Sequence, residues 1–218
     1  MDFMNKHGFW FLLIALGVVG FAFYSLKQQS SSFKPALKPV NIIYPKLPGE
    51  VTIFPADPQL GERQAPVKII EFGDFQCPFC AQTAPILEQT VKNNKGKVEL
   101  IWKDFPLPDH PEAYAAAAAA QCAGRQGKFW EYHDQLFLNQ SSLGQDLYNR
   151  IASSLNLNME KFSSCLSNHE AVPLIKQNID EARAIGVDST PYFVINGQVY
   201  SGIISQEELN SLINSVSK

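Results

Sequence analysis

A pair of cysteines separated by two residues is the strongest chemical signal in this sequence. Cys77 and Cys80 form the motif CPFC shortly after an apolar run, Val67–Phe72, that predicts a buried strand. Pro78 favours the start of a helix here, and positions three apart share one helix face, so the two sulfurs can approach to bonding distance. Unpaired N–H groups at a helix N-terminus stabilise an anion. We therefore predict that Cys77 is a nucleophile with a lowered pKa and that the pair cycles between dithiol and disulfide.

Two other uses of a Cys-X-X-Cys motif fit the sequence less well. A zinc site needs a second pair of ligands at similarly close spacing. The other two cysteines, Cys122 and Cys165, are isolated, and the four histidines are scattered: His7, His110, His133 and His169. A purely structural disulfide across two residues would gain little, because so short a loop removes little entropy from the unfolded chain. We predict redox chemistry and no metal.

Composition excludes several other classes of function. The 218 residues carry a net charge of −3, which gives no basic surface for nucleic acid. There is no glycine-rich phosphate loop, so we expect neither a nucleotide nor another cofactor. The even number of cysteines suits an oxidising compartment.

The first 26 residues have the pattern of a membrane anchor. Residues 8–26 contain no charged side chain and are about as long as the ~20 residues that span a bilayer as a helix. Trp10 and Tyr24 lie near the two ends, where interfacial aromatic residues are common. A cleaved secretory signal is the alternative, but the apolar run continues past the weak cleavage site at Gly20–Ala22. We predict an uncleaved signal-anchor.

The sequence predicts insertion of this segment into a membrane more clearly than it predicts its orientation there. Positive charges lie on both sides of the apolar run, so the positive-inside rule gives no clear answer. These charges are Lys6 before the run and Lys27, Lys34 and Lys38 after it. An anchor of this kind normally exports the polypeptide on its C-terminal side, and we expect the remaining chain on the extracytoplasmic side of the membrane.

Residues 27–58 read as a stalk. They contain a serine triplet and six prolines, a composition that favours extended backbone over a packed core. Two short runs, Val40–Tyr44 and Val51–Phe54, could add edge strands to the following domain, although a proline ends each of them. We predict a spacer between the membrane and a domain at 59–218.

The domain begins with a strand, a helix and a second strand. The strand Val67–Phe72, a helix over about 77–93 and a strand Val98–Trp102 predict a unit with two parallel strands. From about 109 to 186 the pattern is helical, with a run of alanines that strongly favours helix. We predict an all-helical insertion here.

The C-terminal part returns to the sheet. A strand Tyr192–Ile195 and a strand Gln198–Ser201 flank Asn196-Gly197, the strongest short hairpin signal. Gln206–Val216 predicts an amphipathic helix. The whole domain is therefore predicted to be an α/β fold of order βαβ…ββα, interrupted by the helical insertion.

The motifs together resemble one known family. IIEFGDFQCPFC, KDFPL, CAGRQGKFWEYHDQLF and GVDSTPYFVINGQVYSG resemble the DsbA-like branch of the thioredoxin superfamily, and the likeness runs from about Asp57 to the C-terminus. The N-terminal anchor and stalk are similar to those of membrane-tethered members. The resemblance implies a thioredoxin fold, catalysis by Cys77 and Cys80, and disulfide formation in exported proteins. It also implies reoxidation by a quinone-linked membrane partner.

The resemblance assigns roles to further residues around the cysteines. It places Glu71 under the active site as a buried acid, and Lys103 at the end of the second strand would be its partner. Such a pair could exchange the proton of Cys80. The alternative is that both are solvated charges at strand ends.

Two more positions are expected to tune the site. Thr190-Pro191 matches the family's cis-proline loop, which faces the cysteine pair and aims the Thr190 backbone at an extended substrate peptide. Phe79 stands where a histidine is common in the family. Loss of that imidazole predicts a higher pKa of Cys77 and a weaker oxidant than relatives that carry the histidine.

Cys122 and Cys165 both fall in the predicted insertion. In an oxidising compartment they are expected to form a structural disulfide that joins two helices. The alternative is a pair of buried free thiols that pack as small apolar residues.

Other functions of the same domain remain open on the sequence. A disulfide isomerase or a reductase would use the same cysteines on the same substrates. Dimeric isomerases of the superfamily carry a sizeable N-terminal dimerisation domain, for which the stalk is too short, so we expect a monomer. A non-catalytic binding or chaperone module is the remaining alternative, but it would not need to keep both CPFC and Thr190-Pro191.

Overall fold

The structure, a computed structural model, describes residues 51–216 and shows the mixed α/β thioredoxin-like fold that was predicted. Five strands form one sheet in the order β1-β3-β2-β4-β5. The strands are β1 Gln59–Gly61, β2 Val67–Gly73, β3 Val98–Asp104, β4 Tyr192–Ile195 and β5 Gln198–Ser201. Among these strands only β2 and β3 run parallel, and the helix α1, Pro78–Asn93, connects them.

The β4–β5 hairpin turns at Asn196-Gly197, as the sequence predicted. Both residues have positive φ, +47° and +82°, which asparagine and glycine adopt at low cost. The hairpin places β4 antiparallel to β2, with Glu71 opposite Phe193. This pairing brings the loop before β4 to the same edge of the sheet as the end of β2.

Strand β1 was not predicted. Its three residues pair antiparallel with β3, from Gln59 opposite Ile101 to Gly61 opposite Glu99. Gly61 has φ +98°, and a Cβ at this position would lie 2.4 Å from the carbonyl oxygen of Val98. Only glycine fits so close to the neighbouring strand.

Five helices lie between β3 and β4 and form the insertion. They are α2 Ala113–Gly124, α3 Phe129–Leu138, α4 Gln145–Ser154, α5 Met159–Ser167 and α6 Val172–Ala184. The alanine run makes α2 the central helix, since Ala116, Ala119 and Ala120 are fully buried in the apolar cluster of the insertion. Small side chains let the neighbouring helices approach α2 closely.

Each face of the sheet is covered by its own apolar cluster. On one face, strand residues such as Ile69 and Leu100 pack with Leu87 of α1 and with Leu209 of the C-terminal helix α7, Gln206–Val216. On the other face, Ile70, Phe72 and Ile101 pack with Ala182 of α6. Successive side chains of β2 and β3 point to opposite faces of the sheet, so only side chains on the same face can contact each other.

The segment just before β1 contacts the second face of the sheet. Val51 and Ile53 pack against its apolar cluster, and Asp57 is buried. Val51–Phe54 forms no strand, so the expected edge strand there was wrong: the segment packs through its side chains and not through a backbone ladder. Composition placed residues 51–58 in the stalk, but they lie against the domain.

Residues 1–50 lie outside the described part of the chain. The membrane anchor, the stalk up to residue 50 and the possible strand Val40–Tyr44 therefore stay predictions. Among residues 51–216, no helix has the length and apolar character needed to cross a membrane.

Candidate active site

Cys77 occupies the N-cap position of α1. Its backbone is extended, with φ −73° and ψ 121°, and Pro78 is the first helical residue. Proline is well tolerated there because its missing N–H has no acceptor in the first turn of a helix. The Cys77 sulfur therefore lies beside the unpaired N–H groups that begin the helix.

The cis-proline loop lies against Cys77. The Thr190-Pro191 peptide bond is cis, and the Cys77 sulfur lies 3.2 Å from the Thr190 carbonyl oxygen, to which Cys77 donates a hydrogen bond when it is protonated. Thr190 and Cys77 are 113 residues apart in sequence, and the β2–β4 pairing brings them together. The predicted facing of cysteine pair and proline loop is thus present in the structure.

Hydrogen bonds make Cys77 the acidic thiol of the pair. A hydrogen bond from the Cys80 thiol does most to lower the pKa of Cys77, and the backbone N–H groups of Cys80 and Phe79 lower it further. Burial opposes them, but the net pKa is about 5. Cys77 is therefore a thiolate at neutral pH, which is the reactive form of cysteine.

Cys80 has the opposite character. It is fully buried, and desolvation raises the pKa of Cys80 well above the ordinary thiol value. Its hydrogen bond to Cys77 and the charge of Glu71 raise this pKa further. The two cysteines are free thiols in the structure, so this is the reduced state of the pair.

Glu71 lies beneath the cysteines as a buried acid. It is 1% exposed, and burial raises the pKa of Glu71 to about 8, with a further contribution from the nearby charge of Cys77. Its Oε1 atom has no hydrogen-bond partner within residues 51–216. A neutral carboxyl group at this place can exchange a proton with the buried thiol.

The expected pair of Glu71 with Lys103 was wrong. The parallel register places Glu71 opposite Trp102, so Lys103 points to the other face of the sheet. There its ammonium group contacts Asp57 at 2.7 Å and Glu181 at 2.9 Å, and it donates to the carbonyl oxygen of Thr52 at 2.7 Å. Lys103 therefore holds the 51–58 segment to the domain and does not act on Cys80.

Asp74 lies in the turn just before Cys77 and connects that turn to the loop after β3. Its carboxylate is buried and accepts hydrogen bonds from the backbone N–H groups of Gln76 and Leu107 at 2.7 and 2.9 Å. The His110 ring nitrogen Nδ1 lies 2.7 Å from the same carboxylate. Asp74 thus ties the turn before Cys77 to the loop after β3. The sequence did not predict this contact, because Asp74 and His110 are 36 residues apart.

The helical insertion also holds the active-site turn. Gln140, in a short 3-10 helix after α3, donates to the carbonyl oxygens of Phe75 and Cys77, both at 2.9 Å. On the other side, the Gln76 side chain accepts from the backbone N–H of Glu112 at 2.7 Å. The sequence did not predict these contacts, because single glutamines belong to no recognisable motif.

Cys77 is buried in the reduced state. It is only 3% exposed, and the Thr190 carbonyl group lies against its sulfur. Phe79 is the open position of the motif, with half of its surface exposed.

Cys122 and Cys165 form a disulfide between α2 and α5, with an S–S distance of 2.02 Å. Both are buried in the apolar cluster of the insertion. Within residues 51–216, no three His, Cys, Asp or Glu side chains are grouped as ligands of a metal ion.

Comparisons with known proteins agree with this geometry. Residues 54–215 match the family model described as thioredoxin. The chain belongs to the thioredoxin family. The predicted superfamily and fold are confirmed. The thioredoxin-like oxidoreductase of Silicibacter pomeroyi is 25% identical, with a TM-score of 0.66, over 75% of this chain and 94% of that one.

This thioredoxin-family chain is also similar to a second solved structure and to one region of a longer protein. The thiol-disulfide exchange protein alpha-DsbA2 of Wolbachia pipientis has the same fold, with a TM-score of 0.68 at 18% identity over 73% of this chain and 87% of that one. The Na(+)/H(+) antiporter NhaA 1 of Salinispora arenicola is 35% identical over 168 residues. That match covers 75% of this chain and 26% of the antiporter, so the chain spans about a quarter of that relative's length.

Proposed function

We propose that this protein is a thiol–disulfide oxidoreductase that forms disulfides in exported proteins by exchange at Cys77 and Cys80. The observation that carries the proposal is the Cys77 sulfur at a helix N-terminus, with a pKa of about 5, against the cis-proline loop. A thiolate stabilised in this way makes the reduced protein more stable and its disulfide a stronger oxidant. The name of the Wolbachia pipientis relative, a thiol-disulfide exchange protein, supports the same chemistry.

The reaction starts from the Cys77–Cys80 disulfide. A substrate thiolate attacks the Cys77 sulfur, which forms a mixed disulfide and releases Cys80 as a thiolate. Because Cys80 is buried and its pKa is raised, it takes a proton, and the neutral carboxyl group of Glu71 can supply it. A second substrate thiolate then attacks the substrate sulfur of the mixed disulfide. Oxidised substrate leaves, and Cys77 remains as a stabilised thiolate.

The surface around the cysteines supports an unfolded polypeptide as the substrate. Large apolar side chains are exposed on segments next to the active site: Phe79, Leu138 and Ile203. Leu138 lies two residues before Gln140, which binds the carbonyl oxygen of Cys77, and Ile203 follows Gly202, which donates to the Pro191 carbonyl oxygen. Exposed apolar groups of this kind mark contact sites for other chains.

The proposed location in the cell rests on the N-terminal sequence. We propose that residues 1–26 anchor the protein in a membrane, with the thioredoxin-family domain on the extracytoplasmic side. The Cys122–Cys165 disulfide supports an oxidising compartment, since such bonds are rare where thiols are kept reduced. A quinone-linked membrane protein would then return Cys77 and Cys80 to the disulfide.

The redox potential of the pair tests this function. The full chain is equilibrated with glutathione buffers, the free thiols are trapped, and Cys77→Ser serves as the control without exchange. An oxidant predicts a potential well above the thioredoxin range, toward the value of about −120 mV known for DsbA. A potential of about −270 mV would instead make the protein a reductase.

A further inference from the structure

A cavity of about 90 Å³ lies on the α1 face of the sheet, beside the buried acid. Most of its wall is apolar, with side chains of β3, α1 and α3. Its titratable lining residues are Glu71, Glu88, Lys92, His133 and Asp134. The exchange reaction at the cysteines uses only the first of these.

Two of these residues carry buried polar atoms that lack a partner. Within residues 51–216, neither Oε1 of Glu71 nor Nε2 of His133 has a hydrogen-bond partner, although Glu71 is 1% and His133 3% exposed. Buried polar atoms without protein partners are commonly satisfied by ordered water. At roughly 30 Å³ per molecule, this cavity has room for about three waters. Both residues line the same space, so water there can serve both.

Contacts around Trp102 place the two residues near each other. Glu71 and Trp102 are partners across the parallel strands, so their side chains share one face of the sheet. The His133 ring lies edge-on to Trp102, with a centroid distance of 5.0 Å. Glu71 and His133 are therefore both neighbours of Trp102.

His133 also connects the cavity to the surface. Its Nδ1 atom lies 2.9 Å from Oδ1 of Asp134, whose side chain is 45% exposed. A neutral imidazole that donates from Nδ1 to this carboxylate leaves Nε2 as an acceptor. The Nε2 atom can then take a proton from water while the Nδ1 proton passes to Asp134.

We propose that His133, together with water in this cavity, carries protons between Glu71 and solvent during thiol–disulfide exchange. This inference rests on the proposed function and names a second proton-carrying residue for it. When Cys80 leaves as a thiolate, it takes the Glu71 proton. Glu71 is then reprotonated through water by a proton carried on Nε2 of His133, while Nδ1 takes up a proton that Asp134 receives from solvent. When Cys80 closes the disulfide again, Glu71 accepts its proton and passes it to water, to Nε2 of His133 and, from Nδ1, to Asp134.

The charges around His133 fit this role. Glu71 faces it from β2, Glu88 and Lys92 line the cavity from α1, and Asp134 is on its own helix. Burial lowers the pKa of His133, and Asp134 and Glu88 oppose that shift. The imidazole is therefore neutral at rest and can accept a proton transiently.

The proposal can be tested without an activity assay, by asking whether the ionisation of Glu71 changes the NMR signal of His133. The ¹⁵N shift of the His133 Nε2 atom is followed from pH 5 to 9 in the reduced full chain and in Glu71→Gln, with His133→Gln to assign the signal. We expect an inflection from the ionisation of Glu71 in the wild type and its disappearance in Glu71→Gln. Identical curves in the two proteins would overturn the proposal.

A kinetic test measures the step in which Cys80 closes a mixed disulfide with glutathione. We expect His133→Gln and His133→Phe to slow this step about tenfold, with the thiolate absorbance of Cys77 unchanged, because proton transfer and not nucleophile formation is affected. The surface variant His169→Asn removes a histidine at a positive φ that asparagine tolerates, and serves as the matched control.

The double variant separates a proton route from a packing effect. With Glu71→Gln in place, we expect His133→Gln to cause no further slowing, since both lie on one route. Full additivity of the two effects, or wild-type rates in both His133 variants, would overturn the inference. A wild-type protein without any exchange with glutathione would instead overturn the proposed function, and the ¹⁵N coupling would still decide the role of the cavity.

Discussion

At the scale of single residues, the two cysteines differ because their surroundings differ. Cys77 sits at the helix N-terminus and receives hydrogen bonds, so its pKa falls to about 5. Cys80 is one helical turn further in, without contact to solvent, and its pKa rises. One thiolate is stabilised and its neighbour stays protonated, which is the asymmetry that directional exchange needs.

Glu71 makes the stability of the fold depend on pH. Its pKa is about 8 in the folded chain, against 4.5 for an ordinary glutamate, so the folded state holds a proton that the unfolded state releases. The contribution is complete below pH 4.5 and is lost as the pH rises through about 8. We expect the free energy of unfolding of the wild type, relative to Glu71→Gln, to fall by up to about 1.4 kcal/mol per pH unit in this window. Parallel curves from urea unfolding at several pH values would contradict this.

Phe79 is expected to limit the oxidising strength. The substitution Phe79→His adds a donor or a positive charge beside the Cys77 thiolate, which should lower the pKa of Cys77 and raise the redox potential. Each tenfold change in the exchange equilibrium corresponds to about 30 mV. Glutathione equilibria of the wild type and Phe79→His measure the difference, with Phe79→Leu as the control for loss of the ring. An unchanged potential in Phe79→His would refute this role.

At the scale of elements, the register of β2 and β3 decides which charges meet. Glu71 and Lys103 lie on opposite faces of the sheet, and Lys103 reaches Asp57 and Glu181 instead. The spacing of the two residues in the sequence could not show this, because a one-residue change of register exchanges the faces. Strand β1 was also missed in the sequence, because three residues are too few to show an alternating pattern.

Removing the Lys103 charge should destabilise the domain without changing the cysteines. Lys103→Met leaves the buried Asp57 carboxylate without its cation, and breaking a buried pair in this way costs about 3–5 kcal/mol. We expect the double variant Lys103→Met/Asp57→Leu to recover part of that loss. Chemical unfolding gives the two stabilities, and thiolate absorbance gives the pKa of Cys77. A shifted Cys77 pKa in Lys103→Met would show that Lys103 acts on the active site.

At the scale of the whole molecule, the local motifs were predictable and the contacts between distant segments were not. CPFC, the Asn196-Gly197 hairpin and the βαβ order depend on neighbouring residues, and the structure contains all three. The Asp74–His110 contact and the Gln140 hydrogen bonds join the active-site turn to residues 36 to 65 positions away. The burial of Cys77 likewise depends on the distant Thr190 loop.

The insertion is held together by a disulfide, whose removal should weaken the fold. Cys122 and Cys165 are 43 residues apart, and closing a loop of this length contributes about 4 kcal/mol in the chain-entropy model. We expect Cys122→Ala/Cys165→Ala to lower the free energy of unfolding by about that amount. The Cys77 pKa should stay unchanged, since the bond lies within the insertion cluster. Unfolding curves that match the wild type would contradict the prediction.

The ionisation of Cys77 tests the central claim most directly. The absorbance of the thiolate near 240 nm is titrated in the reduced full chain, with Cys77→Ser as the reference that lacks the signal. A midpoint near pH 5 is predicted, because hydrogen bonds at the helix N-terminus stabilise the Cys77 thiolate. A midpoint at the ordinary thiol value of about 8.5 would contradict the assignment of Cys77 as the nucleophile.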